Sequence, residues 1–269
     1  GGGGVRGRRG GGGGGVRPGR AAPPAPPHDQ LAEEVPVGVH YDGEPFAVMM
    51  LTPRELDDFA RGFSLTELGL VPEALREVRV REELEGWRLD ITTSTLGSVA
   101  AAARGLPGRS GCGVCGQRSL EDLLRQPPTL PAGPLIPAIA IDAALAALSS
   151  AQPLNAASGA LHAAAWCTPE GRVACVREDV GRHNALDKLI GARLGQGAGF
   201  EAGFALVTSR ASYEMVLKAA RAGFRVLVAV SAPTALAVDL ARASGLTLVG
   251  FARPGRHVVY SHPERLASG

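Results

Sequence analysis

The chain has 269 residues, 45% of them hydrophobic and 20% charged, with four cysteines and a formal charge of +2. That length holds one large domain or two modest ones with ample core, and so few cysteines do not describe a disulfide framework. Five arginines and no acid fall in the first 28 residues; subtracting them from +2 leaves −3 on the remainder, a mildly acidic body with no electrostatic reason to bind nucleic acid specifically.

The Gly/Arg/Pro head, residues 1–28, has almost no apolar side chains and is expected to be a disordered tail. No signal-peptide pattern stands there. The longest apolar run, Leu135 to Leu148, is broken by Pro137 and Asp142 and is too short to cross a bilayer. A cytoplasmic protein with no membrane attachment is therefore expected.

From Val35 to Leu51 two apolar-rich runs flank Asp42-Gly43, a dipeptide that favours a tight hairpin turn. Thr52-Pro53-Arg54-Glu55 reads as a helix start, with Thr52 as cap, and Gly69 as the stop after Leu68. Glu77–Arg81 and Trp87–Thr93 suggest a second strand pair around Glu85-Gly86. This first region, residues 29–126, reads as a small α+β unit whose opening part shows no site chemistry.

The unit ends in Gly111-Cys112-Gly113-Val114-Cys115-Gly116, two thiols three positions apart with glycine on either side. Three glycines in six positions suit a mobile loop better than a packed core. Ser119-Leu120-Glu121-Asp122 then opens a short helix through Arg125, which puts the thiols near a positive helix end with Arg109 and Arg118 about them. A free cysteine titrates at about 8.5, and such surroundings lower that to roughly 3.5–7.5. Cys112 and Cys115 are therefore candidate nucleophiles. Three other readings compete. A structural zinc site needs two further ligands, and Cys167 and Cys175 stand singly and far apart. A thioredoxin-like pair normally follows a strand, and here a glycine-rich loop precedes it. Incidental cysteines fit the symmetrical glycine flanks poorly.

Gln126–Pro137 is proline-rich and hinge-like, and begins a C-terminal region, residues 127–269. Ile141–Ser150 is expected to be helical. His162 to Val176 suggests a hairpin around Thr168–Gly171 that sets Cys167 and Cys175 nearly opposite, as paired small core residues. His162, in an apolar strand, reads as a core histidine. Glu178–Lys188 places Arg182, His183, Asp187 and Lys188 at a helix start. Two readings balance there: a solvated start with a His183–Asp187 pair, or an anion at the helix N-terminus after Gly181.

Phe204–Thr208, Arg225–Val230 and Leu246–Phe251 are buried-strand runs separated by helices that end at Gly223 and Gly245. The βαβαβ order predicts parallel strands with right-handed crossovers, and ligands bind where such strands end. Those ends carry Thr208-Ser209-Arg210, Ser231-Ala232-Pro233-Thr234 and Arg253-Pro254-Gly255-Arg256, which describes a pocket for phosphates or a nucleotide. Gly195–Gly199 follows a helix and precedes a strand, so it is not a dinucleotide fingerprint.

These segments, in this order, resemble the formate dehydrogenase accessory sulfurtransferase (FdhD) family: CGVCG at 112–116, EDVGRHNALDK at 178–188, SRASYEMVLK at 209–218, SAPTALA at 231–237, GFAR at 250–253 and HPER at 262–265. The likeness runs from about Val35 to Leu266. It implies a sulfurtransferase: a persulfide carrier that takes sulfane sulfur from a cysteine desulfurase and passes it to the molybdenum bis(molybdopterin guanine dinucleotide) cofactor, bound as substrate, before insertion into formate dehydrogenase. By that resemblance Cys112 carries the persulfide, Cys115 assists, and Phe251, Ala252, Arg253, Pro254, Gly255 and Arg256 hold the guanine dinucleotide, to which the strand-end reading adds Ser209 and Arg210. It also implies an α/β fold, a cytidine deaminase-like layer domain with a smaller N-terminal α+β region, in homodimers. Where the family has Thr-Gly-Gly before its histidine, this chain has Ser158-Gly159-Ala160. Zinc deaminases need H-x-E with P-C-x-x-C, yet Ala164 stands two after His162 and Ser110-Gly111 leads into the thiols. A non-catalytic cofactor chaperone is the alternative function.

Overall fold

The computed structural model describes residues 30–94 and 129–267. The Cys112–Cys115 loop, the helix expected over Ser119–Arg125 and the head, residues 1–28, lie outside the described residues.

Strands β1 (Val35–Tyr41) and β2 (Glu44–Leu51) form the expected hairpin. Asp42 and Gly43 both turn through positive φ, 50° and 89°, the geometry that matches the twist of the flanking strands. Helix α1 (Leu56–Leu68) closes at Gly69 as read, with the Gly69 N–H donating to the Leu65 carbonyl. Its start differs. Glu55 precedes it at φ 44°, no side chain caps it, and Thr52 is spent on the second half of the chain. The propensity signal was local, and a tertiary partner outbid it. Strands β3 (Leu75–Glu83) and β4 (Gly86–Thr93) complete a sheet ordered β2-β1-β4-β3. Phe59 and Phe63 of α1 pack over it, with the Phe63 and Phe46 rings 6.1 Å apart and edge to face.

The chain continues through β5 (Ile136–Pro137), α2 (Ala138–Ser150), α3 (Pro153–Ser158), β6 (His162–Cys167), β7 (Val173–Asp179) and α4 (Arg182–Gly195). There follow β8 (Phe204–Val207), α5 (Tyr213–Ala222), β9 (Val226–Ala229), α6 (Ala235–Ser244), β10 (Thr247–Arg253), β11 (Arg256–Ser261) and β12 (Leu266–Ala267). Six strands form one mixed sheet, ordered β11-β10-β9-β8-β6-β7, in which β8, β9 and β10 are parallel as predicted. Side chains alternate across it. Trp166, Ala205, Val207 and Leu227 pack with α4, α5 and α6 on one face, while Ala165, Phe204, Leu206 and Val228 meet α2 on the other.

That alternation corrects the reading of the two cysteines. Cys175 lies opposite Trp166, and a register shift sets Cys167 opposite Val173. The thiols therefore serve different faces: Cys167 in the α2 layer, Cys175 against the α4 layer. Burial pushes the Cys167 thiol up to about 12 and raises Cys175 as well, which disfavours the nucleophilic thiolate at both. Among the described residues no helix is long and apolar enough to cross a membrane.

Candidate functional site

Because β6 runs antiparallel to both β7 and β8, strands β7, β8, β9 and β10 all point the same way. Their C-terminal ends share one edge, which spans four strand spacings, about 19 Å from β7 to β10. The loops beyond are stitched together by backbone bonds. Ser231 N–H donates to the Ser209 carbonyl (3.4 Å), and Phe251 N–H to the Ser231 carbonyl (3.1 Å). Helices α4, α5 and α6 all start here, so three positive helix ends converge on the edge.

The hydroxyls on this edge are less available than spacing suggested. Ser212 and Thr234 accept from the Met215 and Ala237 N–H groups as helix caps. Ser209 is buried and donates to the Arg210 carbonyl at 3.0 Å. Arg210 itself is exposed.

Phe251–Arg256, read as a strand end and loop, is instead a tight hairpin leading into β11, a strand not predicted from the sequence. Antiparallel pairing of Arg253 with Arg256 leaves only Pro254-Gly255 to turn, and Gly255 does so at φ 71°. The Gly255 N–H donates to Asp142 Oδ1 at 3.0 Å. Pro254 and Arg256 are exposed, and the Arg253 guanidinium donates to the Val230 and Ala252 carbonyls. Ala252 is buried in the core, so it offers the edge only backbone. Phe251 stands out, 44% exposed at φ 51°. An L-residue with a bulky side chain holds that conformation only under tertiary constraint. Gly250 shows the constraint, because a Cβ there would come within 2.7 Å of Pro233 Cδ.

At the β7 end, both readings of Glu178–Lys188 give way. His183, Asp187 and Lys188 are buried and Arg182 half-buried, His183 pairs with Glu214 and not with Asp187, and the anion at the N-terminus of α4 is the chain's own Asp179. Its carboxylate accepts from Gly181 N–H (2.8 Å) and Asn184 Nδ2 (3.0 Å) and lies 2.7 Å from Lys188 Nζ, with both side chains fully buried. Lys188 also donates to the Thr52 carbonyl, Thr52 N–H to Asp179, and Val180 N–H to the Thr52 hydroxyl. One turn on, Asp187 holds Lys218 Nζ at 2.8 Å, and Lys218 reaches Glu67 (2.8 Å) and Thr66 (2.9 Å). Burial alone would push Lys218 down; the Asp187 and Glu67 carboxylates hold it above its usual value. Arg177 meets Asp58 at 2.7 Å. The motif is thus a buried seam that fastens α1 and the β2 end to the larger sheet. The first region, read as lacking site chemistry, supplies half of it.

The profile of the FdhD/NarQ family matches residues 32–267. The chain belongs to the FdhD/NarQ family. It is 52% identical over 258 residues to a protein named sulfur carrier protein FdhD from Xanthomonas campestris pv. campestris, covering 94% of this chain and 92% of that one. A Cupriavidus necator protein of the same name is 50% identical over 242 residues, covering 88% and 84%. A crystal structure described as a formate dehydrogenase accessory protein, from Desulfotalea psychrophila, superposes with a TM-score of 0.72 at 27% identity, over 89% of this chain and 91% of that one.

In this FdhD/NarQ chain His162 is no core histidine. As the first residue of β6 it is half-buried at the same edge, opposite Asp179, with Nδ1 3.5 Å from the Thr208 hydroxyl. Burial, and then the charges of Arg182 and His183, hold its imidazole below the usual histidine value, against the pull of Asp179. His183 Nε2 lies 2.9 Å from Glu214 Oε2 of α5, an ion-pair distance without the alignment of a hydrogen bond. Sequence reasoning missed Glu214, Thr52, Thr66 and Asp58. No spacing rule reaches them, since Thr52 and Asp179 are 127 positions apart.

Proposed function

We propose that this FdhD/NarQ chain is a sulfur carrier. It receives sulfane sulfur from a cysteine desulfurase as a persulfide on Cys112, assisted by Cys115, and delivers it to a molybdenum bis(molybdopterin guanine dinucleotide) substrate bound at the strand-end edge. The product is cofactor ready for formate dehydrogenase. In this reading Phe251, Arg253, Arg256 and Arg210 take the nucleotide, Pro254 and Gly255 shape the turn, and Ala252 and Ser209 contribute backbone. The sulfurtransferase assignment rests on the names of close relatives and on CGVCG; the acceptor assignment rests on the edge. The observation that carries it is the convergence of four strand ends, three helix starts and exposed arginines along about 19 Å. An extended dianionic dinucleotide suits that length and charge. We also read the C-terminal layers as cytidine deaminase-like, which the mixed sheet with helices on both faces supports.

The test is direct. Incubate the full chain with a desulfurase and radiolabelled cysteine, without reductant. Label is expected on the peptide holding Cys112 and Cys115, with none after both become alanine. Equal labelling of the double variant, or full rescue of formate dehydrogenase by it, would leave a cofactor chaperone as the better account.

A further inference from the structure

The hairpin at the end of β10 is held by a residue of another layer. Between Arg253 and Arg256 only Pro254 and Gly255 turn, and proline has no N–H, so Gly255 carries the one backbone donor of the tip. That N–H donates to Asp142 Oδ1 at 3.0 Å, across 113 positions of sequence. Asp142 stands in the second turn of α2. Its neighbours Ile141 and Ala144 are fully buried in one cluster with Val249 and Ala252 of β10. The helix that presents the carboxylate is therefore locked to the strand that carries the hairpin. The ladder does not set the tip by itself. Strands β10 and β11 shift register between Gly250 and Arg253, and Phe251 sits in that stretch at φ 51°. Arg253, Pro254, Gly255 and Arg256 beyond it are all exposed. The tip is tied to other elements by Arg253, which donates to the Val230 carbonyl just after β9, and by Asp142.

We infer that Asp142 is a positioning residue of the nucleotide site: its hydrogen bond to Gly255 fixes the turn, and with it the aim of the Arg253 and Arg256 guanidiniums toward phosphate. The inference rests on the nucleotide reading of the strand-end edge and deepens it. In the sequence Asp142 shows only as a break in the apolar run from Leu135 to Leu148. An acid is an unfavourable neighbour for an anion, because its charge repels phosphate. Here its hydrogen bond goes to backbone rather than to either arginine, which leaves both guanidiniums facing outward charge. Charge and hydrogen bond of this one side chain thus act on binding in opposite directions. The charge opposes the ligand, while the hydrogen bond takes away in advance the freedom that the turn would lose on binding. A site mounted on a packed helix is held more precisely than one left to an exposed loop.

The experiment measures binding of GDP, the guanine end of the proposed substrate, to the full chain by calorimetry, for wild type, Asp142→Asn and Asp142→Ala. Both variants lose the charge and only asparagine keeps an acceptor for the Gly255 N–H, so the difference between them isolates the hydrogen bond. Asp142→Asn should bind as tightly as wild type or more tightly. Asp142→Ala should bind about tenfold more weakly than Asp142→Asn, the effect of one hydrogen bond. Alanine is the better helix former, so the thermal midpoint of Asp142→Ala should stay within about 3 °C of wild type, which a folding defect would not allow. Amide exchange reads the contact without ligand. The Gly255 N–H should be protected in wild type and Asp142→Asn, and should exchange about tenfold faster in Asp142→Ala. Equal GDP affinity in the two variants overturns the assignment, and so does a Gly255 amide that exchanges freely in wild type. A wild-type chain that binds no GDP removes the nucleotide reading itself, and this inference falls with it.

Discussion

Replacing Gly191 by alanine separates two effects that sequence reasoning would confuse. Gly191 lies within α4, where helix propensity alone favours alanine by about 1 kcal/mol. In the fold, α1 crosses α4 there at backbone contact. A Cβ on Gly191 would stand 1.7 Å from the Asp58 carbonyl oxygen, and one on Gly62 would stand 1.8 Å from that of Asp187. A tolerable carbon–oxygen contact needs about 3.3 Å, so the helices would have to part by about 1.5 Å. Overpacking of this kind costs 1–3 kcal/mol or more. The upper end applies, because neither obstacle is a side chain that can swing away and parting the helices stretches the Lys218–Glu67 and Lys188–Thr52 contacts. Against the propensity gain, the net loss is about 2 kcal/mol, or about 4–8 °C in Tm for a chain of this size. Thermal and urea unfolding followed by circular dichroism measure it. Gly195→Ala is the control: its Cβ would meet nothing nearer than Arg61 Cδ at 3.8 Å, so it should be neutral or mildly stabilising. A Gly191→Ala chain as stable as wild type would refute the close crossing.

Asp42→Ala should cost about 2–3 kcal/mol in urea unfolding, because the Asp42 carboxylate accepts from both the N–H and the hydroxyl of Thr93 at 2.7 Å and the residue sits at φ 50°. Asp42→Asn should recover part of it, since asparagine tolerates that conformation. Phe251→Gly should weaken binding of a guanine nucleotide in calorimetry, since it removes the exposed ring while suiting the positive φ; unchanged affinity would remove Phe251 from the site. Acid lability should trace to His162. The unfolded imidazole takes its proton near pH 6.5 and the folded one only lower, so its contribution is complete above about 6.5 and is lost as pH falls towards the folded value. Urea titrations at stepped pH should show that decline in wild type and a flatter curve in His162→Gln.

Local chemistry was legible wherever neighbours in sequence settle the outcome. The Asp42-Gly43 hairpin, the helix stops at Gly69, Gly223 and Gly245, and the parallel run of β8, β9 and β10 all follow from turn residues and hydrophobic period, whereas Thr234, read as a pocket hydroxyl, proved to be a helix cap. The shared edge at which the strands end was legible too, because strand direction follows from βαβ order. The tertiary structure alone decided the partners. Thr52 looked like a helix cap and became the meeting point of Asp179, Val180 and Lys188. Asp187, in one of two balanced readings a surface partner for His183, is buried against Lys218. Cys167 and Cys175 looked paired and were divided between two faces by one register shift. The first two share a reason. A buried polar group must find a partner wherever the fold brings one, 127 positions away for Thr52 and Asp179 and 31 for Asp187 and Lys218.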